Sequence, residues 1–323
     1  MDNKSFKRKK ESNNIDVNKL EEIHGFNLDK NISALDLLKN YKNLGFQASN
    51  VAKAAELIQK MKKENVEIYL TCTSNMMSSG LREIIAQLVK NKLVRAIITT
   101  TGFIEEDIIK TKQQFYLGDF EVNDSEVKAN KLNRIGNIFV PDDHYCWLED
   151  FHNNFLKKAF AKQKIWSPSE YIYQLGLELN DENSVLYWAS KNNIPIFCPG
   201  FVDGALGDHF FFFNEKSKEK LVIDTAKDLT IFYKMILDAK KTAGVFLGGG
   251  LPKHHLIGAA ILRNGLDYAI YIQTGTQYDG SLSGAHPKEA VSWNKLKEQE
   301  NSVIIEAEAT LVFPLLALSW LNK

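Results

Sequence analysis

The stretch Val66-Glu-Ile-Tyr-Leu-Thr-Cys-Thr73, followed at once by Ser74-Asn-Met-Met-Ser-Ser-Gly80, decides the fold. An apolar run that does not alternate cleanly with polar residues fits a strand covered on both faces. The small, turn-forming residues at its end let backbone N–H groups come close to a ligand, and the amphipathic stretch from Leu81 onward has helical spacing. The same texture recurs downstream. Candidate strands are Val94–Thr100, Asn137–Val140, Ile194–Cys198, Leu221–Thr225, Gly244–Leu247, Tyr268–Ile272 and Val303–Ala307, with amphipathic segments between them. This βαβα order predicts an α/β fold, a doubly wound and mostly parallel Rossmann-like sheet with helices on both faces. Upstream, Ala34–Asn43 and Val51–Lys63 read as two helices, the second capped by Ser49. Residues 1–30 are polar and expected to form a mobile extension, with 31–323 as one catalytic domain, because no internal repeat, low-complexity segment or linker divides them.

The chain of 323 residues, 44% hydrophobic and 25% charged, can bury a sizeable core. Lys+Arg and Asp+Glu both total 40, so no bulk field favours nucleic acid or an anionic membrane, and neither is expected as a partner. Met1–Asn14 contains Lys7-Arg-Lys-Lys10 but no apolar core of a secretion signal, and no run of about 18 apolar residues occurs. A cytoplasmic protein is expected. Cys72, Cys146 and Cys198 are an odd set without CxxC spacing, each beside apolar or aromatic residues. They argue against a disulfide framework or a zinc site and read as small hydrophobes in a reducing compartment.

In an open parallel sheet, ligands bind where strands end. Here the strands run into Thr73–Gly80, Thr99-Thr-Thr-Gly102, Gly248-Gly-Gly250, Gln273-Thr-Gly275 and Glu308-Ala-Thr310. Any one of these could serve only as a cap or a left-handed turn, but their recurrence suggests a dinucleotide site. Acids and an aromatic form a second set: Glu105-Glu-Asp107, Asp203, Asp208, Asp279, Glu289 and Trp293. Carboxylates beside a Trp face suit a polyamine, by ion pairing and cation–π contact. The alternatives are an acidic first helical turn at Glu105–Asp107 and a core role for Trp293. Lys295 follows Trp293 in a helix opened by Pro287. An amine that loses hydration against an aromatic becomes a nucleophile toward an imine or carbonyl carbon, although most lysines serve only as solvated surface. His254-His255 could equally cap the helix after the glycine turn, and no third ligand supports a metal.

Longer segments carry a resemblance: Thr73-Ser-Asn-Met-Met-Ser-Ser-Gly-Leu-Arg-Glu83, Ile104-Glu-Glu-Asp-Ile-Ile-Lys110, Asn133-Arg-Ile-Gly-Asn137, Asp203-Gly-Ala-Leu-Gly-Asp208, Gly248-Gly-Gly-Leu-Pro-Lys-His-His255, Asp279-Gly-Ser-Leu-Ser-Gly-Ala285 and Glu289-Ala-Val-Ser-Trp-Asn-Lys295. From about residue 35 onward the sequence resembles the deoxyhypusine synthase family. The resemblance implies NAD contacts from Ser74, Asn75, Ser78, Thr100, Thr101, Gly102, Glu106, Asp203, Gly249, Thr274, Gly275, Glu308 and Ala309. It implies a spermidine site of Glu105, Asp208, His254, Gly280, Ser281, Leu282, Glu289 and Trp293, with Lys295 as the covalent nucleophile and His254 as a second catalytic residue. It further implies a homotetramer with active sites at subunit interfaces and an N-terminal extension that covers a neighbouring site.

The implied activity is NAD-dependent transfer of the 4-aminobutyl group of spermidine, through an imine on Lys295, to a lysine of translation factor 5A. Four positions depart from the family pattern. Leu282 stands where eukaryotic members have an Asp that anchors spermidine, and Leu there resembles archaeal members. Phe103 replaces a Gly, Glu308 replaces an Asp near the cofactor ribose, and Asn294 replaces the Gly before the nucleophile. The competing expectations are a homospermidine-forming enzyme with putrescine as acceptor and a catalytically silent NAD-binding scaffold.

Overall fold

A computed structural model describes residues 17–29, 31–298 and 301–322. Six strands form its main sheet: β1 (Glu67–Cys72), β2 (Ala96–Ile98), β3 (Ile196–Phe197), β4 (Thr242–Leu247), β5 (Tyr268–Gln273) and β6 (Ser302–Glu306). Their order is β6-β5-β4-β1-β2-β3, and every neighbouring pair is parallel. Read from the other edge this is 3-2-1-4-5-6, the Rossmann order. The chain leaves β1 and β4 in opposite directions, which opens a crevice at the carboxyl ends of these two adjacent strands.

The strands are covered on both faces, as their unbroken apolar character predicts. In β1, Ile68, Leu70 and Cys72 enter one core cluster and Tyr69 the other; in β5, Tyr268, Ile270 and Ile272 part from Ala269 and Tyr271 in the same way. The first core takes Ile58 and Met61 from the helix Phe46–Lys63, Ile85 from Leu81–Lys90, Ile104 and Ile108 from Thr101–Lys110, and Phe313 from Ala309–Leu321. The second takes Phe232 from the helix Thr225–Asp238 and Leu256 from Gly250–Ala260. Each such side chain contributes about 1.5–3 kcal/mol of burial.

Several expectations need correction. Asn137–Val140 and Leu221–Thr225 do contain strands, but not in the main sheet. Ile138–Pro141 pairs antiparallel with Leu132–Ile135 and Tyr116–Leu117, and Val222–Ile223 pairs with Ile165–Trp166. Ser49 caps nothing. The second front helix starts at Phe46, after extended Gly45, and the Ser49 hydroxyl donates to Phe46 O inside it (2.9 Å). The cap lies one helix earlier, where Ser33 Oγ accepts from Asp36 N (3.1 Å). Cys72 and Cys198 are buried, but Cys146 is exposed, because its helix Asp142–Lys162 turns that position outward.

The expected extension 1–30 lies partly outside the described residues. Of the remainder, Glu21 pairs with Lys42 (2.8 Å) and His24 N donates to Asn43 O (3.1 Å). Among the described residues no helix is long and apolar enough to cross a membrane.

Candidate active site

The turns after β1, β2 and β3 are knit to one another. Ser74 Oγ lies 2.8 Å from Thr100 Oγ1. A Cβ at Gly102 would collide with Ser74 Oγ, so the glycine is what lets the two turns touch. Ser78 Oγ donates to Glu106 Oε2 (2.6 Å), and the buried Lys110 ammonium donates to Met77 O (2.6 Å) and Ser78 O (2.8 Å). Thr101 Oγ1 donates to Phe201 O (2.8 Å) in the loop after β3. Glu105 Oε2 accepts from Leu206 N (3.2 Å) in the first turn of the helix Ala205–Glu215, whose entry holds exposed Asp203 and whose first turn holds exposed Asp208.

The three acids Glu105–Asp107 do not favour a helix dipole. All are buried and lie beyond the first turn of Thr101–Lys110. Asp107 is structural: it accepts from Arg82 Nε (2.6 Å), Ser184 Oγ (2.8 Å) and Leu186 N (2.8 Å). Burial pushes the Glu105 carboxyl up to about 7, and Asp208 and Asp203 add to that. Burial also pushes Glu106 up to about 8, against the opposing donation from Ser78.

These shifts set a sign for stability. A carboxyl whose folded pKa is raised is protonated in the native state while the unfolded chain ionises, so stability is full below about 4.5 and falls as pH rises toward 8. Glu106→Gln removes that loss. The ligand-free variant is expected to match the wild type in urea midpoint at pH 5 and exceed it at pH 8, and equal midpoints at both values would refute the burial of an ionisable Glu106.

The second group surrounds Lys295. A narrow pocket is lined by Lys253, Tyr271, Leu282, Glu289, Trp293 and Lys295, among others. Lys295 Nζ lies 5.3 Å from the Trp293 ring centroid. Trp293 is 61% exposed and so is not core. Lys295 is not in a helix either. The helix Pro287–Ser292 closes at Trp293, and Asn294 takes φ +55°, a left-handed conformation that glycine favours and Asn tolerates. Beyond it the backbone is fastened on both sides, Lys295 N donating to Ala290 O (2.8 Å) and Lys295 O accepting from Leu266 N (3.1 Å), with Leu296 buried.

Sequence reading passed over Lys253. It is 1% exposed, and its Nζ donates to Gln273 Oε1 and Ala285 O, both at 3.0 Å, while lying 5.0 Å from the Tyr271 ring centroid. Burial lowers its pKa to about 8, with Glu289 opposing. It thus ties the end of β5 to the loop that holds Gly280, Ser281 and Leu282. It stood in plain view between Pro252 and His254, but nothing in spacing marks a buried lysine.

The remaining candidates are arranged around these two groups. A Cβ at Gly249 would strike Ser283, so the glycine turn after β4 admits the 275–285 loop, and Gly275 faces the same residue. Asp279 accepts from Ser281 N (2.8 Å), and Gly280 and Ser281 are exposed. Thr274 and Asn75 are exposed, while Glu308 caps the helix Ala309–Leu321 by accepting from Thr310 N (2.8 Å), with Ala309 buried. Neither histidine caps a helix. His254 is exposed on Gly250–Ala260, and His255 stacks on Phe232 (centroids 4.9 Å apart) with its pKa pushed down to about 4 by burial. Glu105, Asp208 and His254 do not line the Lys295 pocket of the same chain.

The family model described as "Deoxyhypusine synthase" matches residues 36–320. The chain belongs to the deoxyhypusine synthase family. A "Probable deoxyhypusine synthase" of Pyrococcus abyssi is 46% identical over 94% of this chain and 96% of its own length. The "Deoxyhypusine synthase" of Kluyveromyces lactis is 41% identical over 88% of this chain and 87% of its own. A crystal structure under the deoxyhypusine synthase name from Entamoeba histolytica superimposes with a TM-score of 0.66 at 29% identity, covering 92% of this chain and 96% of that one. The AgrE complex with ornithine and NAD+ shares the fold alone, at 14% identity and a TM-score of 0.51. As a deoxyhypusine synthase family member the chain is a transferase, and Asn294 takes the left-handed backbone turn that a glycine would make before Lys295.

Proposed function

We propose that the chain transfers the 4-aminobutyl group of spermidine, in an NAD-dependent reaction through a covalent imine on Lys295, to a lysine of translation factor 5A in the cytoplasm. The observation that carries this reading is the pocket in which Lys295 lies against Trp293 beside Glu289, along the face of β5 in a Rossmann-ordered sheet. NAD fits the small-residue turns. Ser74, Asn75, Ser78, Thr100–Gly102 and Glu106 would hold it on one side of the β1/β4 crevice, and Gly249, Thr274, Gly275, Glu308 and Ala309 on the other, with Asp203 at the β3 end. When bound it would supply hydride-transfer chemistry, a two-electron oxidation of the amine donor and a later two-electron reduction of the transferred group.

The chain's own residues do the rest. The Lys295 amine attacks the imine carbon, the bond to the departing nitrogen breaks, and 1,3-diaminopropane leaves with a proton shed by Nζ. The acceptor lysine repeats that exchange and frees Lys295. Glu289 and Asp208 attract ammonium ends, the Trp293 face holds the chain between them, and His254 positions or moves a proton. Because Glu105 and Asp208, on the elements that follow β2 and β3, do not line the Lys295 pocket, we infer that a second copy supplies them, in a homotetramer with interface sites.

A homospermidine-forming reading is favoured by one observation, the apolar Leu282 in the pocket lining, which offers no charge to an ammonium. Incubation with NAD and labelled spermidine, with factor 5A or putrescine as acceptor, separates the two. Label in factor 5A and release of 1,3-diaminopropane are expected, whereas label in homospermidine alone would give the function to the second reading.

A further inference from the structure

We propose that Tyr171, His152 and His209 form a hydrogen-bonded chain that holds the acid-bearing segment 201–210 in place for the polyamine, with the two histidines as positioning residues. This deepens the reaction proposed for Lys295 and rests on its amine substrate.

The three side chains come from three helices: His152 from Asp142–Lys162, Tyr171 from Pro168–Leu177 and His209 from Ala205–Glu215. His152 Nε2 lies 2.7 Å from Tyr171 Oη, and His152 Nδ1 lies 3.0 Å from His209 Nδ1. Tyr171 and His152 are fully buried and His209 nearly so, with the rings of Phe155 and Phe210 packed on His152. Burial lowers the pKa of both histidines, against the opposing charges of Glu149 and Asp208 at His209, so both rings are neutral at pH 7. A neutral imidazole has one N–H, and the contact between the two Nδ1 atoms needs one proton between them. The Tyr171 hydroxyl decides whose it is. Among the described residues its hydrogen-bond partner is His152 Nε2 alone, so it donates there. His152 then carries its proton on Nδ1 and donates to His209, whose own proton sits on Nε2. The reverse order would leave the Tyr171 proton buried without an acceptor, the arrangement that costs most.

This chain stands behind the acids proposed for the amine. His209 directly follows Asp208, and Leu206 N, on the same turn of helix, donates to Glu105 Oε2 (3.2 Å). Tyr171 packs on Phe201 (centroids 5.6 Å apart) and on Phe210 (5.1 Å), and Phe201 O is the acceptor for Thr101 Oγ1 (2.8 Å). Between these two phenylalanines the backbone turns back so closely that a Cβ at Gly207 would strike Val202 O. Asp203 and Asp208 lie on this turn, exposed, and among the described residues neither carboxylate has a hydrogen bond or ion pair to steady it. Their placement therefore depends on the backbone beneath them. Three apolar side chains could fill the same space, but a fully satisfied polar chain also fixes one arrangement of the helices that carry it.

Two substitutions at His209 test the assignment. Asparagine branches at Cγ as histidine does, so its amide oxygen can accept from His152 Nδ1–H, whereas leucine supplies bulk without an acceptor. His209→Leu is expected to raise KM for spermidine roughly 5- to 10-fold, the net worth of about one hydrogen bond, with kcat and NAD affinity within about twofold of wild type. Hydrogen–deuterium exchange of the 201–210 amides is expected to speed up by about the same factor. His209→Asn should restore both. Wild-type KM and exchange in the leucine variant, or equal damage from leucine and asparagine, would overturn the proposal. Should His209→Leu not fold, Tyr171→Phe removes the first donor without changing bulk, and unchanged KM and exchange in that variant would equally overturn it. Release of 1,3-diaminopropane by the wild type keeps the two claims apart. If none is released from spermidine, the amine reading fails, and the exchange rates alone, faster with leucine and restored with asparagine, still decide whether the chain anchors the segment.

Discussion

Lys295→Arg is expected to abolish aminobutyl transfer, by a factor on the order of 10³ or more, while NAD binds as before. Arginine keeps the positive charge and most of the length of lysine, so it preserves the stacking on Trp293 and the electrostatics toward Glu289. It stays protonated at any working pH and offers no amine lone pair, so it cannot form an imine. The turns proposed to hold NAD lie on other elements and are untouched. Mass analysis after borohydride reduction, with NAD binding measured in parallel, checks both halves. Turnover near the wild-type rate by this variant would take Lys295 out of the mechanism.

Asp107→Ala is expected to cost about 3–5 kcal/mol of stability, the range for breaking a buried ion pair from one side. Arg82 and Asp107 side chains are 1% and 0% exposed and meet at 2.6 Å. Without the carboxylate, Arg82 keeps the backbone carbonyl of residue 107 at 3.3 Å, Asp181 at 2.8 Å and the more exposed Glu83 at 3.3 Å, and Ser184 Oγ and Leu186 N lose their acceptor. The damage reaches the site, because Asp107 lies on the same helix as Glu105 and Glu106. Urea unfolding at neutral pH gives the magnitude. The pair Arg82→Leu with Asp107→Leu should recover much of the loss, since an apolar pair leaves no orphaned charge; a single variant as stable as the wild type would mean the ion pair is not buried in solution.

The main sheet was legible because each of its strands is covered on two faces, and burial on two faces writes an apolar run into the chain. Leu132–Ile135 and Tyr116–Leu117 escaped for the opposite reason: Asn133, Arg134, Tyr116 and Leu117 are exposed, so their pairing leaves no hydrophobic trace. The turn residues were legible as a set because small side chains recur after successive strands, where the structure brings the turns into contact. Their partition was not. Nothing local distinguishes Asp107, which holds Arg82, from its neighbours Glu105 and Glu106, which face the turns, since all three are buried acids on one helix. Likewise Lys253 and Tyr271 became visible only through contacts made across β5, between residues distant in sequence. The family resemblance named Lys295, but only the structure shows that its helix stops short of it.

The fastening of that residue has a mechanical consequence. With its amide bonded to Ala290 O and its carbonyl bonded to Leu266 N, the Lys295 backbone is a fixed pivot, and the freedom that the proposed transfer requires resides in its side-chain torsions. Such rotations run on the picosecond-to-nanosecond scale where a side chain is unhindered, far faster than loop opening. In the proposed reaction a carrier mounted in this way can swing between donor and acceptor without its loop melting, and the searching that delivery requires falls to the acceptor lysine.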